Sequence, residues 1–108
     1  MNGVSLQFFV HESRRVHGVP IYRWLLETAE SLGLHGGTAF KSIASFGRHG
    51  VLHEEHFFEL AGDVPIMVTF LVGDEEAEKL LARIRTEGLP LFYVRQPAEF
   101  GVVNGHET

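Results

Sequence analysis

Residues 4–10 read Val4-Ser-Leu-Gln-Phe-Phe-Val10, and an apolar side chain stands at every second position from Val4 onward. Such alternation is typical of a β-strand that turns one face toward an apolar core and the other face away from it. The alternate positions from Val4 are predicted to point inward, whereas Phe9 is predicted to point outward. We therefore expect a half-buried sheet, and the fold depends on what covers its inner face.

Two amphipathic helices are predicted to provide that cover. The first begins near Pro20, which suits a first turn because its missing N–H costs little there, and it ends at Gly33. The second begins at Asp74, a good N-cap residue, and ends at Gly88. Residues at helical spacing, mostly apolar, define the inner faces: Ile21, Trp24, Leu25, Thr28 and Leu32 in the first helix, and Ala77, Leu80, Leu81 and Ile84 in the second.

Three further strands complete the predicted sheet: Thr38 to Ser45, Ile66 to Val72, and Leu91 to Arg95, which Pro97 is expected to stop. His56 to Leu60 also looks extended. The resulting order is β-α-β-β-α-β, and two helices can cover only one face of one sheet. We therefore predict an α+β, ferredoxin-like fold, βαββαβ, with a four-stranded antiparallel sheet and two helices on one face. Residues 1–97 form this single domain, and residues 98–108 are predicted to be a loose tail.

Length, charge and composition exclude several classes of protein. A chain of 108 residues with 44% apolar residues is expected to form one small globular domain. Its formal net charge of -5 argues against nucleic acid or an anionic membrane surface as the main partner. The absence of cysteine excludes a disulfide scaffold and a thiol nucleophile. No apolar run reaches membrane-spanning length, so we expect a cytoplasmic protein without membrane insertion.

One face of the predicted sheet is covered by neither predicted helix. Phe9, Met67 and Leu71 are the apolar residues expected on it. Large apolar side chains left on an open face favour burial against another subunit. Self-association is therefore expected.

A polar loop, Phe46-Gly-Arg-His-Gly50, follows the second predicted strand inside the stretch Gly33 to His56. A regular segment that leads into a glycine-rich loop is a common way to hold a ligand. Lys41, Arg48 and Arg95 are the candidate anion-binding side chains, and Gly47 and Gly50 would let backbone N–H groups approach a phosphate. The alternative is that these are ordinary solvated charges, since no Gly-Lys-Ser/Thr of a Walker loop follows.

The histidines and one serine are candidates for two other kinds of site, a metal site and a hydrolytic site. His49, His53 and His56 favour a small metal-binding module as the alternative function. His53-Glu-Glu-His56 is not the His-Glu-x-x-His zinc motif, because its histidines are three positions apart and the segment is not helical in character. Glu12, Ser13 and His17 stand on one short connection, where no catalysis is expected. Glu12 and His17 are instead predicted to stabilise the turn or border a ligand cleft.

Several motifs in order resemble a known family. They are His11-Glu-Ser-Arg-Arg-Val-His-Gly-Val-Pro-Ile-Tyr22, Gly36-Gly-Thr38, Ser45-Phe-Gly47, His53 and Asp63-Val-Pro-Ile66. Together they are similar to the DUF190 (UPF0166) family of small PII-like proteins, over roughly residues 4 to 97. The resemblance implies a homotrimer, clefts between subunits that hold an adenine nucleotide, and a regulatory role without catalysis.

This sequence differs from the pattern of PII signalling proteins in two places. Phe46-Gly-Arg48 looks like the base of the PII T-loop, but the exposed loop is much shorter, which weakens the case for a PII-style contact with a target protein. Thr86 to Phe92 lacks the glycine-rich loop that holds phosphates in PII. AMP or ADP is therefore expected rather than a triphosphate.

The predicted ligand is an adenine mono- or diphosphate nucleotide, with no other cofactor required. The residues expected to border its cleft are Gly36, Gly37, Thr38, Lys41, Phe46, Gly47, Arg48 and Arg95, together with Glu12 and His17. The proposed partners are two further copies of the chain, the nucleotide and an unidentified protein target. Arg95 is expected to reach the nucleotide either from the same chain or from a neighbouring one.

Overall fold

The structure is a computed structural model that describes residues 1–46 and 64–105. The chain runs through β1, the short strands β2 and β3, helix α1, strands β4 and β5, helix α2 and strand β6. Their bounds are β1 Asn2–His11, β2 Arg15–Val16, β3 Val19–Pro20, α1 Ile21–Ser31, β4 Thr38–Lys41, β5 Pro65–Val72, α2 Asp74–Glu87 and β6 Phe92–Glu99. The predicted βαββαβ order is therefore confirmed, and the small β2–β3 hairpin is an addition to it.

The main sheet has the strand order β4-β5-β1-β6, and all neighbouring strands are antiparallel. This is the order of a ferredoxin-like sheet, because the two central strands, β5 and β1, come from different halves of the chain. β4 and β6 are the edge strands. The α+β prediction is confirmed in full: a four-stranded antiparallel sheet with α1 and α2 in the described part of the chain.

The core lies between the helices and one face of the sheet. Leu6 and Phe8 of β1 and Val68 and Phe70 of β5 are almost completely buried, and the rings of Phe8 and Phe70 meet edge to face at 6.2 Å. The alternation along β1 that predicted this face is confirmed, since the inward residues are buried at every second position. The helices contribute the other half of the core: Ile21, Trp24, Leu25 and Ala29 from α1, and Ala77, Leu80, Leu81 and Ile84 from α2.

The helix ends differ slightly from the prediction. Pro20 is the N-cap residue of α1 rather than part of its first turn. Gly73, not Asp74, is the N-cap of α2, and its N–H donates to Glu76 Oε1 at 3.0 Å. Gly88 ends α2 with a φ of 73°, the left-handed conformation that glycine adopts most readily. Neither described helix is long and apolar enough to cross a membrane.

Two strand boundaries were wrong. β4 ends at Lys41 rather than Ser45, so the segment toward Phe46 is already outside the sheet. β6 does not stop before Pro97 but continues to Glu99, with Pro97 opposite Val4. An edge strand tolerates proline because one of its sides has no neighbouring strand to accept a hydrogen bond. The predicted extended segment His56 to Leu60 lies outside the described residues.

The pairing of β1 and β6 extends beyond the strands themselves. The Phe100 N–H donates to the Met1 carbonyl at 2.9 Å, and the Met1 ammonium donates to the Phe100 carbonyl at 2.8 Å. β6 therefore crosses the predicted domain boundary between residues 97 and 98. Phe100, the first residue after β6, is bonded to the N-terminal residue.

Candidate functional site

Glu12 and Lys41, two of the predicted site residues, meet at one end of the sheet. Glu12 follows β1, and Lys41 is the last residue of β4. Lys41 Nζ lies 3.2 Å from Glu12 Oε2, with about two thirds of the lysine side chain exposed. The structure thus brings the lysine to the surface beside the start of the segment that leads to Phe46. It also supplies the ammonium group with a carboxylate partner, which the sequence did not indicate.

The connection between β1 and α1 folds into the β2–β3 hairpin. Its turn residues, His17 and Gly18, both have positive φ, 51° and 82°, as a type I′ hairpin turn requires. Arg15 Nη2 donates to the Gly18 carbonyl at 2.7 Å, and Val16 is buried in the core. The sequence signal for this hairpin is the His17-Gly18 pair between two short segments that each contain a valine. The hairpin was not among the elements predicted from the sequence.

His17 contacts the end of α2 rather than Lys41. Its Nε2 bonds with Glu87 Oε1, and Arg83 Nη1 lies 3.6 Å from Glu87 Oε2. The hydrogen bond from His17 is the largest cause that holds the pKa of Glu87 below its usual value. Arg14 Nη1 also donates to the Pro90 carbonyl at 3.1 Å. These contacts fasten the hairpin to the end of α2, and the prediction that His17 stabilises the turn into α1 or borders a ligand cleft stays a prediction.

Arg95 lies at the other edge of the sheet and has two carboxylate partners. Its Nη2 is 3.0 Å from Asp74 Oδ1, and its Nη1 bonds with Glu78 Oε2. The hydrogen bond with Glu78 is the largest cause that holds the pKa of Arg95 above its usual value, and the hydrogen bond with Asp74 is the second. Arg95 therefore ties β6 to the first turns of α2.

The strand order separates Arg95 from Lys41 within one chain. β4 and β6 are opposite edges of the sheet, with β5 and β1 between them. Three strand spacings place the backbones of β4 and β6 about 14 Å apart across the sheet. In the same-chain version of the predicted cleft, which also stays a prediction, a single ligand would have to bridge the width of the sheet. The version in which a neighbouring subunit supplies Arg95 stays a prediction.

Gly36, Gly37 and Thr38 lead into β4 at the end opposite Lys41. A Cβ on Gly37 would stand 2.4 Å from Phe70 Cε1, so glycine is required there by close packing against the core. A Cβ on Gly36 would meet open space. Thr38 pairs with Thr69 on the face away from the helices. Gly37 thus has a structural reason to be glycine that does not depend on a ligand.

Phe46, the first residue of the predicted loop, is the only residue of that loop that the structure describes. Its side chain is 76% exposed, and that of Ile43 is 93% exposed, so two large apolar groups stand in solvent beside the Lys41 end of the sheet. The predicted site residues Gly47 and Arg48 lie outside the described residues, as do His49, His53 and His56. Among the residues that the structure describes, no group of three or more His, Asp or Glu side chains is arranged to hold a metal ion.

The uncovered face of the sheet carries a row of large apolar side chains. Met67 is opposite Phe40 on one side and Phe9 on the other, and Phe9 is opposite Phe92. This apolar row, Phe40–Met67–Phe9–Phe92, thus crosses all four strands. Its three phenylalanines are 38–50% exposed. Leu71, predicted on the same face with Phe9 and Met67, is also there and is 53% exposed.

Comparison with known proteins supports the family that the sequence motifs resemble. The model of the DUF190 family, described as "Uncharacterized ACR, COG1993", matches residues 3–89. The chain belongs to the DUF190 family. A "UPF0166 protein" of Aquifex aeolicus (strain VF5) is 31% identical over 80 residues, which are 74% of this chain and 76% of that protein. The DUF190 match covers β1 to α2 and includes Glu12, Lys41 and the hairpin, whereas β6 with Arg95 lies beyond it.

Proposed function

We propose that this DUF190 protein is a non-catalytic, PII-like regulatory or sensor protein. It assembles into a homotrimer through the open face of its sheet and binds an adenine mono- or diphosphate nucleotide in clefts between the subunits. The observation that carries the proposal is the apolar row Phe40–Met67–Phe9–Phe92, which α1 and α2 leave uncovered.

Burial of the apolar row is the physical reason for assembly. Apolar area removed from water stabilises a contact by about 25 cal/mol per Å². A contiguous apolar patch on an otherwise polar surface marks an interaction site. The row spans the full width of the sheet, about 14 Å, so a second sheet packed on it would cover several large side chains at once. The number of subunits, three, comes from the PII resemblance.

Lys41 is the described residue that best suits a phosphate. Its side chain is 63% exposed and lies at the end of β4, where the chain leaves the sheet toward Phe46. A net-acidic protein needs such a local positive group to hold an anionic ligand. Arg95 is a weaker candidate than its sequence position suggested, because Asp74 and Glu78 already occupy its guanidinium.

The placement of Lys41 and Arg95 on opposite edges of the sheet favours clefts between subunits over a cleft within one. In an assembly of several copies, an edge strand of one copy approaches an edge of the next, which is how a Lys41 edge and an Arg95 edge come together in this proposal. The absence of catalysis is part of the proposal, supported by Glu12 and His17, which bond with partners on different elements, Lys41 and Glu87.

Calorimetric titration of the purified assembly with AMP and ADP tests the nucleotide part of the proposal directly. We expect saturable binding at up to one nucleotide per chain. No heat of binding for either nucleotide at millimolar concentration would contradict it. Sedimentation of the same sample tests the assembly independently, so the two parts of the proposal can fail separately.

A further inference from the structure

We infer that Glu12 selects the charge of the ligand at Lys41, by competing with its phosphate and then repelling it. This inference rests on the proposed nucleotide site and gives it a specificity: ligands with few negative charges are accepted, and highly charged ones are disfavoured. The observation behind it is the Lys41 Nζ to Glu12 Oε2 ion pair of 3.2 Å.

Both members of the ion pair are held by backbone hydrogen bonds next to it. The Glu12 N–H donates to the Val64 carbonyl at 2.9 Å, and the N–H of Ser42, which follows Lys41, donates to the Pro65 carbonyl at 2.9 Å. These bonds fasten the end of β1 and the end of β4 to the two sides of β5. The backbone of Glu12 therefore stays close to Lys41 when the glutamate side chain is displaced.

The two side chains of the ion pair differ in how much of each is exposed to solvent. Glu12 is 30% exposed, whereas Lys41 is 63% exposed. A larger fraction of the lysine side chain than of the glutamate side chain is thus open to an incoming anion. To bind Lys41, a phosphate must replace the carboxylate or share the lysine with it.

The displaced carboxylate then becomes a like charge beside the bound phosphate. Coulomb repulsion grows with the charge on the ligand, so a triphosphate is penalised more than a monophosphate. Removing the Glu12 charge without changing the side-chain shape should therefore tighten binding of every phosphate ligand, and most of all the triphosphate. We expect a gain of roughly tenfold for AMP and roughly fiftyfold for ATP, the size of effect that charge pairs near a protein surface produce.

The test is calorimetric titration of AMP, ADP and ATP in EDTA, so that divalent cations do not neutralise the phosphates. The wild-type protein is compared with Glu12→Gln and with the control Glu27→Gln. Glu27 lies on the outer side of α1 with an exposed partner, Arg23, at 3.4 Å, so the control removes the same formal charge away from the site. We expect Glu12→Gln to bind all three nucleotides more tightly in the order ATP, ADP, AMP, and Glu27→Gln to bind them as the wild type does.

A double variant shows whether the gain acts through the lysine. In Lys41→Ala/Glu12→Gln the gain relative to Lys41→Ala alone should be much smaller than the gain in the wild-type background, because the two side chains interact directly. Circular dichroism confirms that each variant is folded. Glu12→Ser serves as a second removal of the charge, and it must shift the nucleotide preference in the same direction as Glu12→Gln.

Three results would overturn the inference. If the wild type and Glu12→Gln both bind nucleotide with the same ratio of AMP to ATP affinity, Glu12 does not select charge, although the proposed function stands. If the gain is unchanged in the Lys41→Ala background, Glu12 does not act through Lys41. If neither the wild type nor Glu12→Gln binds any of the three nucleotides at millimolar concentration, the proposed function and the inference fail together.

Discussion

Phe9 and Phe92 lie side by side on the open face of the sheet, with their ring centroids 5.8 Å apart. They belong to neighbouring strands, β1 and β6, and are directly opposite each other in the register. Neither α1 nor α2 covers these rings, and 38% of Phe9 and 39% of Phe92 are exposed. This aromatic pair forms one half of the apolar row on which we propose that the subunits assemble.

Replacing Phe9 by serine should weaken assembly more than it weakens the fold. Phe9 points away from the core, so its loss leaves the helix-facing side of β1 intact, whereas an assembled interface would lose a large apolar group near its centre. We expect a shift toward the monomer at micromolar concentration in sedimentation equilibrium. Val103→Ser is the matched control, because Val103 is 89% exposed and lies beyond β6. A variant Phe9→Ser that assembles as tightly as the control would show that the apolar row is not the interface.

Lys41→Ala should weaken binding of AMP or ADP about ten- to a hundredfold, the range that corresponds to one lost hydrogen bond to a charged group. Calorimetry measures the effect. Lys79→Ala on α2 is the control, since it removes an exposed lysine that follows Glu78 and lies outside the proposed site. The sequence pattern predicts a similar loss for Arg48→Ala. If Lys41→Ala and Arg48→Ala both bind the nucleotide as the wild type does, the nucleotide site stands but our placement of its phosphates is contradicted.

Gly37→Ala should destabilise the protein. The added Cβ would stand 2.4 Å from Phe70 Cε1 and 3.0 Å from Leu26 Cδ2, so the core must shift to admit it. Overpacking of this kind costs about 1–3 kcal/mol of the free energy of unfolding, which denaturant titration measures. Thr38→Ala is the control, because Thr38 is the next residue in the chain, is exposed and lies on the face of the sheet away from the helices. Equal stability of the two variants would mean that Gly37 is not needed for packing.

The His17–Glu87 bond predicts a change at acidic pH. Because the pKa of Glu87 is lowered from 4.5 in the folded protein, its contribution to stability is present above pH 4.5 and is lost as the pH falls through the lowered value. His17→Ala removes the largest cause of the shift, so the pKa of Glu87 should rise toward 4.5. An NMR titration of the Glu87 carboxyl group measures it. His35→Ala is the control, since His35 lies near Glu76 instead, and an unchanged Glu87 pKa in His17→Ala would contradict the assignment.

The sequence predicted those features that depend on local pattern. Alternation along Val4–Val10 indicated the inner face of β1, and helical spacing indicated every buried residue of α2. Features that depend on pairing between distant segments were not visible in it. That Phe40 and Phe92 join Phe9 in one row follows from the strand register, and that Pro97 lies within β6 follows from the edge position of that strand.

The candidate site was predictable only in part for the same reason. Lys41 was identified as a candidate anion-binding side chain from its position before the glycine-rich loop, and it is exposed at the end of β4. Its partner Glu12, and the carboxylates that hold Arg95, lie far from them in sequence, so charge pairing could not be assigned without the fold. The separation of Lys41 and Arg95 by two strands likewise depends on the strand order.

Sedimentation equilibrium of the wild-type protein at micromolar concentration tests the central claim most directly, because both the apolar row and a cleft between subunits require assembly. We predict a single species of three times the chain mass of 12.1 kDa. A species of 12.1 kDa at that concentration would contradict the account, since it would leave the apolar row in solvent and Lys41 and Arg95 on separate edges of an isolated sheet.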